Sequence, residues 1–291
     1  MKKKLIILTG PTAVGKTDLS IRLARTVGGE IISADSMQVY RRMDIGTAKI
    51  RPEEMDGVRH HLIDILEPTE SFNAFLFKGC ARKAASEIWG SSSIPNIVGG
   101  TGFYIQTLLY DIEFAKSDEN DGIRDELNKL YEEHGAAFLH DMLAKVDPEY
   151  AAEVHENNVK KVIRAIEFYR QTGHKLSEHN TEQRERTSPY NFEYFVLSDD
   201  RTVLYERIDG MVEAGLIAEV QALLDEGVDR RSVAMQGLGY KEIASYLAGE
   251  ISLDEAIYIL KRDTRHFAKR QLTWFRREKN VDFVELDKSG S

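Results

Sequence analysis

Residues 10–17 read GPTAVGKT, and few stretches of eight residues restrict a fold so tightly. Two glycines five positions apart, followed at once by lysine and threonine, fit G-x-x-x-x-G-K-[ST]. Such a run turns between a strand and a helix, where backbone N–H groups and the helix N-terminus cradle an anion. The flanks supply both elements. Residues 4–9 are an apolar run that reads as a buried strand. Leu19, Leu23 and Val27 follow at helical spacing, and Gly28 and Gly29 stop them. Residues 30–34 form a second apolar run, ending at Asp35. Strand, loop, helix and strand in this order predict an α/β core of parallel strands flanked by helices. Its phosphate cradle comprises Gly10, Pro11, Thr12, Ala13, Val14, Gly15, Lys16 and Thr17. Lys16 adds a cation and Thr17 a hydroxyl that can ligate Mg²⁺.

A chain of 291 residues can bury a sizeable core in one large domain or two. No apolar run reaches the 18 residues a membrane helix needs. Three lysines precede the first strand, but the apolar run behind them is too short for a signal peptide. Cys80 is the only cysteine, which excludes internal disulfides and cysteine-based zinc sites. The cytoplasm is the compartment these features predict. The net charge of −9 argues against a polyanionic partner until its distribution is considered. Residues 261–279, KRDTRHFAKRQLTWFRREK, carry eight Lys/Arg against two acids, a local +6 that leaves −15 for the remainder. A basic stripe of this kind, not the net figure, governs binding.

The middle of the chain changes character. From about residue 113 to 190 the pattern is mostly helical, so an all-helical module is expected between two parts of the α/β core, 1–112 and 191–291. Within it, Ile123, Leu127 and Leu130 mark one helix ending near Gly135. Asp147-Pro148 reads as an N-cap with proline at the first helical position, and Asn158 as the cap of another helix. Residues 174–189 are polar and read as a loop. Strand pattern resumes at residues 192–197, helices follow from about Arg201, and VDFVEL closes the chain as a strand.

Asp35 stands at the carboxyl end of a strand beside the phosphate loop, where ligands of open α/β sheets bind, and could serve as a general base. Alone it would read better as a turn aspartate, but Ser36, Gln38 and Tyr40 crowd the same short connection. An ATP-hydrolysing loop protein should also show an acid after an apolar strand. Asp64 sits among apolar residues, Asp199 and Asp200 read equally well as helix caps, and the strand at residues 94–98 ends in glycines. GGTGFY, residues 99–104, reads as a flexible loop that could bring Thr101 to a ligand. In the basic segment, Arg262, Arg265, Lys269 and Arg276 share one helical flank, while Ile257, Leu260, Phe267, Leu272 and Phe275 share another. RNA is the partner such a stripe fits. Lys160, Lys161 and Arg164 make a smaller cluster on the helical module.

Taken together, GPTAVGKT, ADSMQVYRRMDIGTAK, HHLIDI, GGTGFY, VIRAIEFYRQTG, LYERI, GYKE and TRHFAKRQLTWFR resemble the tRNA dimethylallyltransferases, also called tRNA isopentenyl-transferases. These stretches run in order from residue 10 to 277. The cysteine-containing zinc extension of some eukaryotic relatives is absent, so the resemblance is to the bacterial form. It implies that dimethylallyl diphosphate gives its five-carbon group to the exocyclic amine of the adenosine 3′ of the anticodon. The phosphate loop would then hold a diphosphate leaving group. Asp35 would be the base; Lys16, Thr17 and Mg²⁺ would steady the diphosphate, and Thr101 and Arg207 would orient substrate or leaving group. The anticodon stem-loop would meet Ser36, Met37, Gln38, Arg124, Lys160, Lys161, Arg164, Lys241, Arg262, Arg265 and Lys269. Val14 replaces the serine of many relatives, with little consequence expected where backbone groups dominate. A monomer without an obligate protein partner is anticipated. Two other functions compete: a small-molecule kinase, which the phosphate loop alone favours, and prenyl transfer to free adenine nucleotides, which has no need of a long basic helix.

Overall fold

The computed structural model describes residues 2–114, 122–198 and 203–285. The chain divides into two compact units, Met1–Leu109 with Pro189–Ser291, and Tyr110–Ser188.

The first unit is built on a sheet of six parallel strands. In chain order its elements begin with β1 (Lys3–Thr9), α1 (Lys16–Val27), β2 (Gly29–Ser33) and the short β3 (His60–His61). They continue with α2 (Ala74–Gly90), β4 (Ile94–Gly99) and α3 (Gly102–Leu109). The strands lie in the order β3-β2-β4-β1, and β5 (Tyr190–Ser198) and β6 (Asp282–Glu285) extend the sheet beyond β1. The chain therefore leaves β1 toward one edge and later resumes toward the other, which makes the carboxyl end of β1 a switch point where ligands of such sheets bind. Burial explains the composition. Leu5, Ile7, Leu8 and Thr9 of β1 are all but inaccessible, as a central parallel strand covered on both faces requires. Register brings three loops level, because Thr9 pairs with Gly99 on one side and Val196 on the other, while Ser33 pairs with Val98.

α1 ends where the sequence predicts: Gly28 adopts a left-handed conformation (φ 63°), and its N–H bonds the last turn. Its fully buried face is Ser20, Ile21 and Ala24, with Leu19, Leu23 and Val27 only partly covered. After β5 come α8 (Val203–Glu213), α9 (Leu216–Asp225), α10 (Tyr240–Leu247) and α11 (Leu253–Phe275). Asp199, Asp200 and Arg201 lie outside the described residues.

The second unit is helical: α4 (Ile123–Val146), α5 (Pro148–Glu153), α6 (Val159–Thr172) and α7 (Leu176–Glu185). Leu127, Leu139, Leu143, Val162, Ile163 and Ile166 form its core. Gly135 (φ 82°, ψ 179°) interrupts α4, which bends there and continues a further eleven residues to Val146 instead of ending. Asp147 caps α5, accepting from the Tyr150 N–H at 3.1 Å, and also accepts from the Ser177 N–H and hydroxyl at 2.9 and 2.6 Å. These bonds hold the Asp147 carboxyl below the usual carboxylate range against the opposing effect of burial. They also secure α7, where the polar sequence predicts a loop. An external side-chain anchor overrides the weak apolar pattern. Asn158 stands at the N-cap of α6, but its side chain makes no capping bond.

Candidate active site

The phosphate loop leaves β1 through Gly10 (φ 150°), where a Cβ would lie 2.6 Å from the Leu197 carbonyl oxygen of β5. Ala13 and Gly15 take left-handed conformations (φ 64° and 80°), and Gly15 opens α1. Val14 is buried against Leu8 and Leu197, so its side chain packs the loop onto the sheet. Lys16 folds back over this turn. Its ammonium donates to the carbonyls of Gly10 at 3.0 Å and Pro11 at 2.5 Å. Lys16 keeps some exposure, yet the inward ammonium is desolvated enough to lower its pKa to about 7; Asp35 opposes the shift and Arg207 adds to it. Thr17 is exposed in the first turn of α1.

Asp35 lies two residues past the end of β2. One of its carboxylate oxygens accepts from the backbone N–H of Met37 at 2.8 Å and of Gln38 at 3.3 Å, a turn that fixes the side chain by its own backbone. Its charge bears on Lys16, on Arg207 of α8 and on Tyr104 of α3. Burial lowers the pKa of Arg207, with Asp35 restoring part of it, and raises that of the Tyr104 phenol, with Tyr40 and Asp35 adding to the rise. Ser36 is half-buried beside Asp35, and Met37 lies over Gly237, where a Cβ would stand 2.4 Å from the Met37 methyl. The Gln38 amide turns inward, its oxygen taking the Ser33 hydroxyl at 3.3 Å and its nitrogen reaching the carbonyls of Thr47 and Ala48 at 3.4 and 3.5 Å.

The segment after Asp35 is pinned twice. Lys49 is almost wholly buried, and its ammonium donates to the Tyr40 carbonyl at 2.7 Å and to Asp44 and Asp64 at 2.6 Å each. Asp64 is thereby a structural partner, not an ion-binding acid. From α9, Glu219 accepts the N–H groups of Asp44, Ile45 and Gly46 at 2.9, 2.8 and 3.1 Å, and the Tyr240 hydroxyl at 2.6 Å.

Thr101 initiates α3, its carbonyl accepting from Tyr104 and Ile105, while its N–H donates to the Ala34 carbonyl at 3.1 Å. Gly99 admits this approach, since a Cβ there would meet the Ala34 oxygen at 2.3 Å. GGTGFY is therefore no flexible loop: α3 starts at Gly102, and only Gly100 and Thr101 connect it to β4. Gln271, a buried residue of α11, holds that connection. Its Nε2 donates to the Gly100 carbonyl at 2.9 Å, and its Oε1 accepts from the Thr12 N–H at 3.2 Å.

α11 turns Arg262, Arg265, Lys269 and Arg270 to solvent and buries Ala256, Leu260, Ala268, Gln271 and Phe275. Arg276 lies just past its end, also exposed. Arg262 pairs with Asp263 at 2.8 Å, and Lys241 with Glu242 and Asp263 at 3.3 and 3.6 Å. Arg265 and Lys269 form no ion pair with another described residue. On the helical unit Lys160 and Lys161 are exposed, whereas Arg124 and Arg164 converge on the buried Glu167 at 2.5 and 3.4 Å.

No group of three or more His, Cys, Asp or Glu that could hold a metal exists among the described residues. A divalent ion here would take few ligands from the chain, and Thr17 offers one hard oxygen of the kind Mg²⁺ accepts beside a substrate's phosphates. Among the described residues no helix is long and apolar enough to cross a membrane.

A phosphate loop at the switch point of a parallel sheet, with a basic helix packed against Gly100 and Gly102 of the neighbouring connection and a carboxylate in its field, defines a group-transfer enzyme of the P-loop α/β class. The family model for IPP transferase matches residues 38–278, and that for isopentenyl transferase matches residues 3–68. The chain is 59% identical to a tRNA dimethylallyltransferase of Lachnoclostridium phytofermentans, over 95% of this chain and 90% of that one. With the tRNA dimethylallyltransferase of Carboxydothermus hydrogenoformans it shares 49%, over 99% and 94%. Its fold is similar to that of the full-length tRNA isopentenylpyrophosphate transferase of Bacillus halodurans, with TM-score 0.73, 45% identity and coverage of 99% and 92%. A eukaryotic dimethylallyltransferase acting on tRNA gives TM-score 0.84 at 30% identity, covering 97% of this chain and 74% of that one. The chain belongs to the tRNA dimethylallyltransferase family, a family of prenyl-transferring enzymes.

Proposed function

We propose that this chain transfers the dimethylallyl group of dimethylallyl diphosphate to the exocyclic amine of the adenosine 3′-adjacent to the anticodon in tRNA, releasing diphosphate in the cytoplasm. The observation that carries this reading is the electrostatic grouping of Asp35, Lys16 and Arg207 at the carboxyl ends of β1 and β2. Two cationic groups and a ring of backbone donors face the place where a leaving diphosphate gathers charge, and one carboxylate lies beside them. Carbon–oxygen cleavage leaves its electron pair on the diphosphate, which the loop, Lys16 and Arg207 stabilise. The adenine nitrogen forms the new bond to carbon, and its proton passes to Asp35. One Asp35 oxygen is already held by the turn at residues 37 and 38, so the other can meet the amine with the side chain fixed in place. Mg²⁺, held by Thr17 and the diphosphate, would supply further neutralisation of the leaving group.

A base paired or stacked in RNA cannot reach such a site, so the adenosine has to be flipped outward. Arg265 and Lys269 on α11, and Lys160 and Lys161 on the helical unit, are the exposed cations we assign to the RNA backbone. Arg262 and Lys241 reach it by exchanging Asp263 for phosphate, and Arg124 and Arg164 only by releasing Glu167. The test is Asp35→Ala, assayed for prenyl transfer and for tRNA binding separately. Transfer should fall at least about a hundredfold, as for loss of a general base, with tRNA affinity within about threefold. Transfer at the wild-type rate would remove Asp35 from the mechanism.

A further inference from the structure

We propose that Gln271 is a positioning residue for this reaction, its amide fixing the spacing between the phosphate loop and the Thr101 connection. The inference rests on the prenyl-transfer reading above. One planar amide accepts from one loop and donates to the other, through the Thr12 N–H and the Gly100 carbonyl. Asparagine and glutamine carry a carbonyl acceptor and a separate N–H donor on one planar group, and glutamine is the longer of the two. The fit leaves no slack: a Cβ on Gly100 would lie 2.2 Å from the Gln271 Nε2. Ala268 and Phe275 are buried with it on the same face of α11. The bond commits the Thr12 N–H to protein instead of ligand. It also closes a continuous path, from Thr12 through Gln271 to Gly100, on to Thr101, and by the Thr101 N–H to Ala34, the residue before Asp35. Donor cradle and base carboxylate are therefore registered to each other through one amide, which bonds the two loops.

Two substitutions separate positioning from packing. Gln271→Leu keeps the volume and removes both bonds. Gln271→Glu is isosteric: ionised, it still accepts from Thr12 but sets an oxygen against the Gly100 carbonyl, and protonated, it restores the donor. Each variant and the wild type would be measured for the affinity of inorganic diphosphate with magnesium, for single-turnover transfer from pH 5.5 to 8.5, and for tRNA affinity, at a temperature where melting curves show all three folded. The expected result is a transfer rate about tenfold to a hundredfold below wild type at pH 8 for both variants. Diphosphate binding is expected to weaken in both, with tRNA affinity changed less than about twofold. For Gln271→Glu alone, the ratio to wild type rises as pH falls. Wild-type rates and diphosphate affinity in both variants would overturn the proposal, as would losses that track tRNA affinity. A wild-type protein that transfers no prenyl group would instead overturn the reading of function, and diphosphate affinity across the three proteins would then decide the role of the amide.

Discussion

Lys16 supplies a sharp quantitative prediction. Its ammonium is turned inward, and burial brings its pKa to about 7 in the ligand-free protein. A lysine with pKa lowered from 10.5 binds fewer protons folded than unfolded over pH 7 to 10.5, so this group's contribution makes stability rise with pH across that window. Binding runs the other way. A diphosphate beside Lys16 favours the charged form and draws a proton in. At pH 8 about nine in ten ligand-free molecules lack that proton, so diphosphate binding should take up on the order of 0.9 proton per site through this group. At pH 6 the lysine is already charged, and its share should fall to about 0.1. Calorimetric titration with magnesium diphosphate in two buffers of different ionisation enthalpy gives the proton count, and Lys16→Met titrated identically subtracts the ligand's own protonation. Equal counts for wild type and Lys16→Met at pH 8 would refute the reasoning.

Two further substitutions test the surroundings of the site. Glu219→Ala strands three backbone N–H groups and the buried Tyr240 hydroxyl, a local loss of about 2–4 kcal/mol that hydrogen exchange should register as fast-exchanging amides at residues 44–46; unchanged protection there would contradict the anchoring role. Arg265→Glu with Lys269→Glu should weaken tRNA binding and lower the slope of log affinity against log salt by about 2, one for each lost phosphate contact. An unaltered slope would leave α11 without an RNA face.

The phosphate loop, its strand and its helix were legible because a pattern of glycines and a short apolar run answer to local geometry alone. The helical unit was legible in outline, but α7 was not: its sequence is polar, and its anchor is Asp147, thirty residues upstream. α11 was recognisable as amphipathic, yet its buried face holds Gln271 between Phe267 and Phe275. A polar residue at that spacing inside an apolar stripe is the signal available, but nothing local marks it as an anchor, because its partners lie 171 and 259 residues away. Asp64 posed the converse problem. Its apolar neighbours hint at a structural acid, but only the fold shows that its counter-charge is Lys49. Gln38 stands in a motif that suggests RNA contact, whereas local carbonyls occupy its amide.

The most direct test of the central claim is one incubation with magnesium and unmodified tRNA, offering either dimethylallyl diphosphate or ATP, followed by digestion and mass spectrometry of the nucleosides. Isopentenyl-adenosine is expected with the prenyl donor and none with ATP. ADP formation from ATP, with no prenylated nucleoside in either reaction, would contradict the claim.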